Sequence, residues 1–112
     1  MAKLERQLTG DFNALLDYLH DGILSGSSSA SWEDGSDYDG AGFRCAVRVY
    51  ERYSFMGGNR VSLNLTLVGE GNQLFLSAIT SGGSQAVFFK VNTLGEEAFL
   101  DKVEELLDQW NG

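Results

Sequence analysis

The sequence predicts an α+β fold in which two helices cover one face of an antiparallel sheet, because the hydrophobic period changes twice along the chain. Apolar residues recur at helical spacing between residues 12 and 23, and again between residues 99 and 110. Between these segments apolar and polar residues alternate, as they do in half-buried antiparallel strands. We therefore expect a two-layer sandwich in the order helix, meander of about five strands, helix, with both helices on one face of the sheet.

The two helices are predicted from their apolar stripes and from the residues that flank them. The first stripe consists of Phe12, Leu15, Leu16, Leu19 and Ile23. Gly26 and the serines after it end this helix. The second stripe consists of Phe99, Val103, Leu106, Leu107 and Trp110. Before it, Thr93 and Glu96 have the spacing of a capping box, so we expect the second helix to begin at Thr93.

Turn residues between the alternating segments set the strand registers, and every register pairs apolar residues with apolar residues. The expected turns are a loop at residues 57–59, a pair at 70–71 and a loop at 81–84. They place Tyr53 opposite Leu63, Leu67 opposite Leu74, and Ala78 opposite Val87 in a last strand that extends to Val91. The agreement of turn chemistry with hydrophobic pattern supports the meander.

The first strand of the meander is expected within residues 30–38, where Gly35 would form a β-bulge. A two-residue turn at Gly40 and Ala41 would set Asp37 opposite Arg44, as a cross-strand ion pair.

Two helices cannot cover both faces of such a sheet, so one face is expected to stay uncovered. The registers place a mixture of aromatic, basic and small polar side chains on that face. The candidate binding residues are Arg48, Tyr50, Arg52, Asn64, Thr66, Phe75, Phe88 and Lys90. Exposed apolar surface of this kind is typical of an interface. We predict a binding or interaction module that self-associates through this face, with a small-molecule or peptide ligand as the alternative occupant.

Composition excludes several other classes of function. The net charge of −8 argues against nucleic-acid binding, which needs a positive footprint. No apolar run approaches the roughly 18 residues of a membrane span. The single cysteine, Cys45, excludes an internal disulfide framework and suits a reducing compartment, so a cytoplasmic location is predicted. The length of 112 residues fits one domain, residues 1–112.

The sequence offers one candidate for catalysis. Glu51 is expected on the helix-covered side, where a carboxylate needs a partner, and His20 is the only histidine. The two could form an acid–base pair in a small enzyme; structural hydrogen bonds or simple packing would explain both residues as well. Cys45 is expected to point inward as a core residue. No set of nucleophile, base and oxyanion donors is recognisable, and neither a metal site nor a cofactor is predicted.

Three segments carry a resemblance to a known family: EDGSDY (33–38), CAVRVYERYSFMGGNRVSLNLTL (45–67) and LSAITSGGSQAVFFKVNTLGEEAFLDKV (76–103). They resemble a small bacterial family of uncharacterised proteins, found chiefly in Firmicutes and known only as a domain of unknown function. The resemblance implies a stand-alone cytoplasmic domain of about this length. It implies no activity, cofactor or catalytic residue.

Overall fold

The structure is a computed structural model that describes residues 1–53, 60–82 and 89–111, with the backbone alone for 89–94. Within these residues it contains five strands and two helices. In chain order they are β1 (Ala2–Thr9), α1 (Phe12–Ser25), β2 (Ser31–Gly40), β3 (Phe43–Tyr53), β4 (Arg60–Glu70), β5 (Gln73–Gly82) and α2 (Phe89–Asp108). The strands form one antiparallel sheet in the order β1-β5-β4-β3-β2. The predicted α+β class and the five-stranded antiparallel sheet are confirmed.

The membership of the sheet differs from the prediction at one edge. A strand ending at Val91 was expected beside β5, but Phe89–Val91 belong to α2, and residues 83–88 lie outside the described part of the chain. The position beside β5 is taken by β1, which pairs along its whole length from Ala2 with Thr80 to Thr9 with Gln73. Helix α1 therefore connects one edge strand of the sheet to the other.

One face of the sheet and both helices share the hydrophobic core. Alternate residues of β4 and β5, including Leu65 and Leu76, are almost fully buried together with Leu19 of α1 and Val103 of α2. The helices also contact each other, since the Tyr18 hydroxyl donates a 2.6 Å hydrogen bond to the backbone oxygen of Leu106. The placement of both helices on one face agrees with the expected two layers.

Helix α2 begins at Phe89, so Thr93 does not cap it, and the predicted capping box is wrong. Glu96 has a different role. Only 5% of this residue is exposed, and its carboxylate accepts a 2.7 Å hydrogen bond from the backbone N–H of Gly82 and lies 2.8 Å from the amino group of Met1. A buried carboxylate needs such partners. Through them α2 is tied to the end of β5.

Two predicted turns are displaced by one residue, which shifts each register by two. The turn between β4 and β5 consists of Gly71 and Asn72, so Leu67 pairs with Leu76. The turn between β2 and β3 contains Gly42. Gly71 and Gly42 have φ values of 60° and 84°, which explains why each glycine occupies a central turn position. An even shift keeps paired residues on a common face, so the side chains of β4 and β5 remain on their predicted faces.

The same shift changes the partners of the ion pairs along β2 and β3. Arg44 pairs with Asp39, Nε to Oδ1 at 2.8 Å, and Arg48 pairs with Asp37 at 3.0 Å. The predicted cross-strand opposition of Asp37 and Arg44 is therefore wrong. The irregular step in the pairing of β2 lies between Trp32 and Asp34, rather than at Gly35.

The register of β3 on β4 differs by three residues. Tyr50, not Tyr53, lies opposite Leu63. Because three is odd, every side chain of β3 lies on the face opposite to the one predicted. The predicted loop at 57–59 lies outside the described residues.

Neither helix, over the part of the chain that the structure describes, combines the length and apolar character needed to cross a membrane.

Candidate functional site: the uncovered face of the sheet

The face of the sheet opposite the helices, called here the open face, is built from side chains that alternate with the core residues of each strand. Residues paired directly across neighbouring strands lie on the same face, so the registers arrange the open face in rows. Three rows cross all five strands from β1 to β2. They are Lys3–Ile79–Asn64–Val49–Asp34, Glu5–Ser77–Thr66–Val47–Ser36 and Gln7–Phe75–Val68–Cys45–Tyr38.

Apolar side chains lie on four of the five strands of the open face. Phe75 and Ile79 on β5 are 36% and 39% exposed, and Tyr38 on β2 is more exposed still. Between them the side chains on β3 and β4 are half-buried by their neighbours. These half-buried residues are Cys45, Val47, Val49 and Val68. No described helix or strand packs on this surface, because α1 and α2 share their core with the opposite face.

Polar side chains of the open face include Asn64 and Thr66 on the central strand β4, and charged residues on the edge strands and near the strand ends. Ser62 and Ser81 share a 2.9 Å hydrogen bond between their hydroxyl oxygens. Lys3 lies on edge strand β1, and Asp34 lies in the same row on edge strand β2. The two edges of one row therefore carry opposite charges.

Of the eight predicted binding residues, three lie on the open face: Asn64, Thr66 and Phe75. The predicted position of Arg48, Tyr50 and Arg52 on this face is wrong, because β3 is turned over. Phe88 lies outside the described residues. Lys90 belongs to helix α2, so it is not part of a strand on this face.

Arginine side chains explain why β3 presents its less apolar stripe to the helices. The Arg44 guanidinium lies 4.5 Å from the centre of the Phe12 ring, and that of Arg52 lies 4.4 Å from the centre of the Phe99 ring. Such stacking lets the aliphatic part of arginine cover apolar surface. Burial lowers the pKa of Arg52 from its usual value.

Tyr50 is fully buried in the core and bonds to the only histidine of the chain. Its hydroxyl and Nδ1 of His20 are 2.8 Å apart. Burial raises the pKa of Tyr50 to about 12, while Arg48 lowers it and Asp21 raises it by their charges. At neutral pH this tyrosine is an uncharged hydrogen-bonding group that fixes the histidine ring beside Trp32, whose ring centre is 6.1 Å away.

The predicted acid–base pair of Glu51 and His20 is not formed. Glu51 follows the buried Tyr50 on β3, so it lies on the open face, whereas His20 contacts the helix-covered face. The Glu51 carboxylate forms an ion pair with Arg60, Oε1 to Nε at 3.0 Å. Because the sheet separates the two side chains, they cannot act together on one substrate.

Cys45 is also on the open face, half-buried beside Val68, and the prediction that it points into the core is wrong. Among the residues that the structure describes, no three side chains of His, Cys, Asp or Glu are grouped as metal ligands would be.

Sequence reasoning missed β1 and therefore its contribution to this surface. Lys3, Glu5 and Gln7 alternate with Leu4 and Leu8, which is a strand signal at the start of the chain.

Comparison with protein-family models matches residues 1–111 to a family described as a family of unknown function, DUF6054. A comparison with curated proteins finds no match. The family match spans nearly the whole chain, including all five strands and both helices. The chain therefore belongs to the DUF6054 family of unknown function.

Proposed function

We propose that this protein is a small interaction module in which two copies associate through their open faces, sheet against sheet. The observation that carries the proposal is the continuous row of Phe75, Val68, Cys45 and Tyr38 across four adjacent strands. Its two end residues are exposed, and no described part of the chain covers the row. Uncovered apolar surface of this kind marks an interaction site.

The dimensions of the open face support a partner of the same size. Five strands spaced about 4.8 Å apart are roughly 24 Å wide, and nine residues of strand span about 30 Å. The product, roughly 700 Å², is close to the ~800 Å² that each partner buries in a standard protein–protein interface. A second copy of the sheet would cover this area with a surface of equal shape, as in sandwiches whose sheets pack about 10 Å apart.

The reversed orientation of β3 favours self-association over the alternative ligands. The arginines of β3 lie on the helix side: Arg44, Arg48 and Arg52. Arg60, at the end of β4, is paired with Glu51, so the open face lacks the row of arginines that would have held an anionic ligand or an RNA backbone. What remains at its centre is apolar or uncharged, with Asn64 and Thr66 as the polar groups of β4. Such a surface matches another apolar surface better than it matches a charged ligand.

We infer that the protein acts in the cytoplasm of a bacterium, specifically a member of the Firmicutes. The family resemblance supports the bacterial source. The free thiol of Cys45, half-buried on a surface that we take to be an interface, supports a reducing compartment.

Light scattering coupled to size-exclusion chromatography tests the proposal. The wild-type chain of 12.2 kDa should run at twice that mass. Phe75→Glu should shift the mass to that of one chain, because two carboxylates would be buried without partners. Gln109→Glu adds the same charge at an exposed position near the end of α2 and should leave the dimer intact. A wild-type monomer across the micromolar range, or a Phe75→Glu variant that still dimerises, would contradict the proposal.

A further inference from the structure

We infer that the two copies are related by a two-fold axis parallel to β4, so that edge strand β1 of each copy faces edge strand β2 of the other. This inference rests on the proposed self-association. It identifies an intermolecular ion pair, formed twice, between Lys3 and Asp34 of the partner subunit.

The starting point is the position of β4 as the central strand, with β5 and β1 on one side and β3 and β2 on the other. A two-fold axis in the interface and parallel to β4 exchanges the two sides of the sheet and keeps each row in place. The residue at one end of a row then faces the residue at its other end in the partner. Symmetry of this type requires that each surface be complementary to itself.

The row that contains Lys3 satisfies this requirement. Its ends are Lys3 on β1 and Asp34 on β2, and its inner members are Ile79 and Val49, which would face each other across the interface. The row therefore places a positive charge on a negative charge at both edges and an apolar residue on an apolar residue between them. Asn64, at the centre, would face its own copy and can both donate and accept a hydrogen bond.

The row that contains Phe75 agrees with the same axis. Phe75 would face Cys45 of the partner subunit, and Val68 would face its own copy. Like charges would meet at the two ends of β4, where Glu70 and Arg60 each approach their own counterpart; Arg60 is already paired with Glu51 of its own chain. Glu70 is exposed at the end of β4, where its carboxylate stays in contact with water.

An axis perpendicular to the strands gives a less favourable match. It would reverse the order of the rows and place each edge strand over its own copy. If it passed through the middle row, Lys3 would face Gln7, and Glu5 would face Glu5 of the partner subunit. The arrangement would lose both opposite-charge pairs and place Glu5 on its own copy, while it would separate Glu70 and Arg60 from theirs. The two opposite-charge pairs therefore favour the axis parallel to β4.

The twist of the sheets does not separate the proposed partners. Aligned sheets pack at about 30°, and an edge strand lies about 10 Å from the central strand, so facing edge residues are offset by about 5 Å. An extended lysine side chain spans such an offset. The Lys3 ammonium is well exposed and lies 4.0 Å from Glu5, at the limit of an ion pair, so it is available to a stronger partner.

Cross-linking between two different single-cysteine variants tests the arrangement. In a Cys45→Ser background, Lys3→Cys with an affinity tag is mixed with untagged Asp34→Cys and treated with a short bismaleimide. The mixture should yield a covalent heterodimer. Either variant alone should not cross-link, because equivalent edge positions would lie about 19 Å apart, four strand spacings of about 4.8 Å. The matched control is Lys3→Cys mixed with Gln7→Cys, which should cross-link only if the axis is perpendicular to the strands.

A charge exchange provides a second readout. Lys3→Asp and Asp34→Lys should each weaken dimerisation about three- to tenfold, on the scale of exposed ion pairs, and the double variant should recover the wild-type dissociation constant. Light scattering distinguishes a failure of the proposed self-association from a failure of the parallel axis. A wild-type monomer overturns the proposed self-association. An intact dimer that cross-links through Gln7→Cys, or that is indifferent to both charge changes, overturns only the parallel axis.

Discussion

Replacing Tyr50 tests the reversed face of β3 most directly. Had this residue lain on the open face, its truncation would cost little. In the structure none of its surface is exposed, so Tyr50→Ala should lose about 3–5 kcal/mol of unfolding free energy, as for other large aromatic residues cut to alanine in a core. That is a large fraction of the 5–15 kcal/mol that stabilises an ordinary domain. Tyr50→Phe should lose about 1 kcal/mol, because it removes only the hydroxyl that bonds to His20 at 2.8 Å.

Urea denaturation followed by circular dichroism would measure both changes. All variants should be compared at one protein concentration, since the stability of a self-associating chain depends on it. The control is Tyr53, three residues along the same strand and 56% exposed. Tyr53→Phe should stay within about 0.5 kcal/mol of wild type, as for most surface substitutions. The reasoning is refuted if Tyr50→Ala costs no more than the roughly 0.5 kcal/mol expected of a surface substitution.

Three further predictions follow from groups described above. Burial raises the folded-state pKa of Tyr50 to about 12, above its usual value of 10.0. This residue therefore stabilises the fold fully below pH 10, and its contribution is lost as the pH rises towards 12. Tyr50→Phe should flatten that part of a stability–pH curve. Glu96→Ala should cost about 1–3 kcal/mol in urea melts, because a backbone N–H loses its acceptor, and Glu96→Gln should cost less. Gly22→Ala should lower the midpoint of thermal unfolding despite the higher helix propensity of alanine, because the new Cβ would lie 2.6 Å from the Leu106 side chain. An unchanged or higher midpoint would contradict this, and would show that Leu106 or α2 shifts at little cost.

The faces of β4 and β5 could be predicted from sequence because the hydrophobic alternation of β4 indicates a single buried side. Leu63, Leu65 and Leu67 alternate with small polar residues, so only one side of β4 is apolar enough to be buried. Misplacing the turn by one residue shifted the predicted pairing of β4 with β5 by two residues, which left the side chains of both strands on their predicted faces. Asn64, Thr66 and Phe75 were assigned to the open face correctly for this reason.

The face of β3 could not be predicted in the same way because both of its stripes can be buried. One carries Val47 and Val49, and the other carries Ala46 and Tyr50 between arginines. Hydropathy favours the valines. In the structure Tyr50 fills the core, and the arginines stack on helix aromatics, a tertiary effect that a hydropathy pattern does not contain.

The strand at the beginning and the early start of α2 were missed for related reasons. β1 has few apolar residues, Leu4 and Leu8 among them, and its partner strand is distant in sequence. The apolar run at Phe89–Val91 suggests a strand locally, but these residues begin a helix, as tertiary context often decides for short apolar runs.

The pairing of β1 with β5 has a consequence for how the chain folds. Ala2 lies opposite Thr80, so the first of the five described strands pairs with the last of them. During synthesis β1 must wait until nearly the whole sheet has left the ribosome, and closing such a long loop costs entropy before any strand contact repays it. Until then β5 has an unpaired edge, which other chains could join. The pairing of β1 thus also protects the newly made sheet from aggregation.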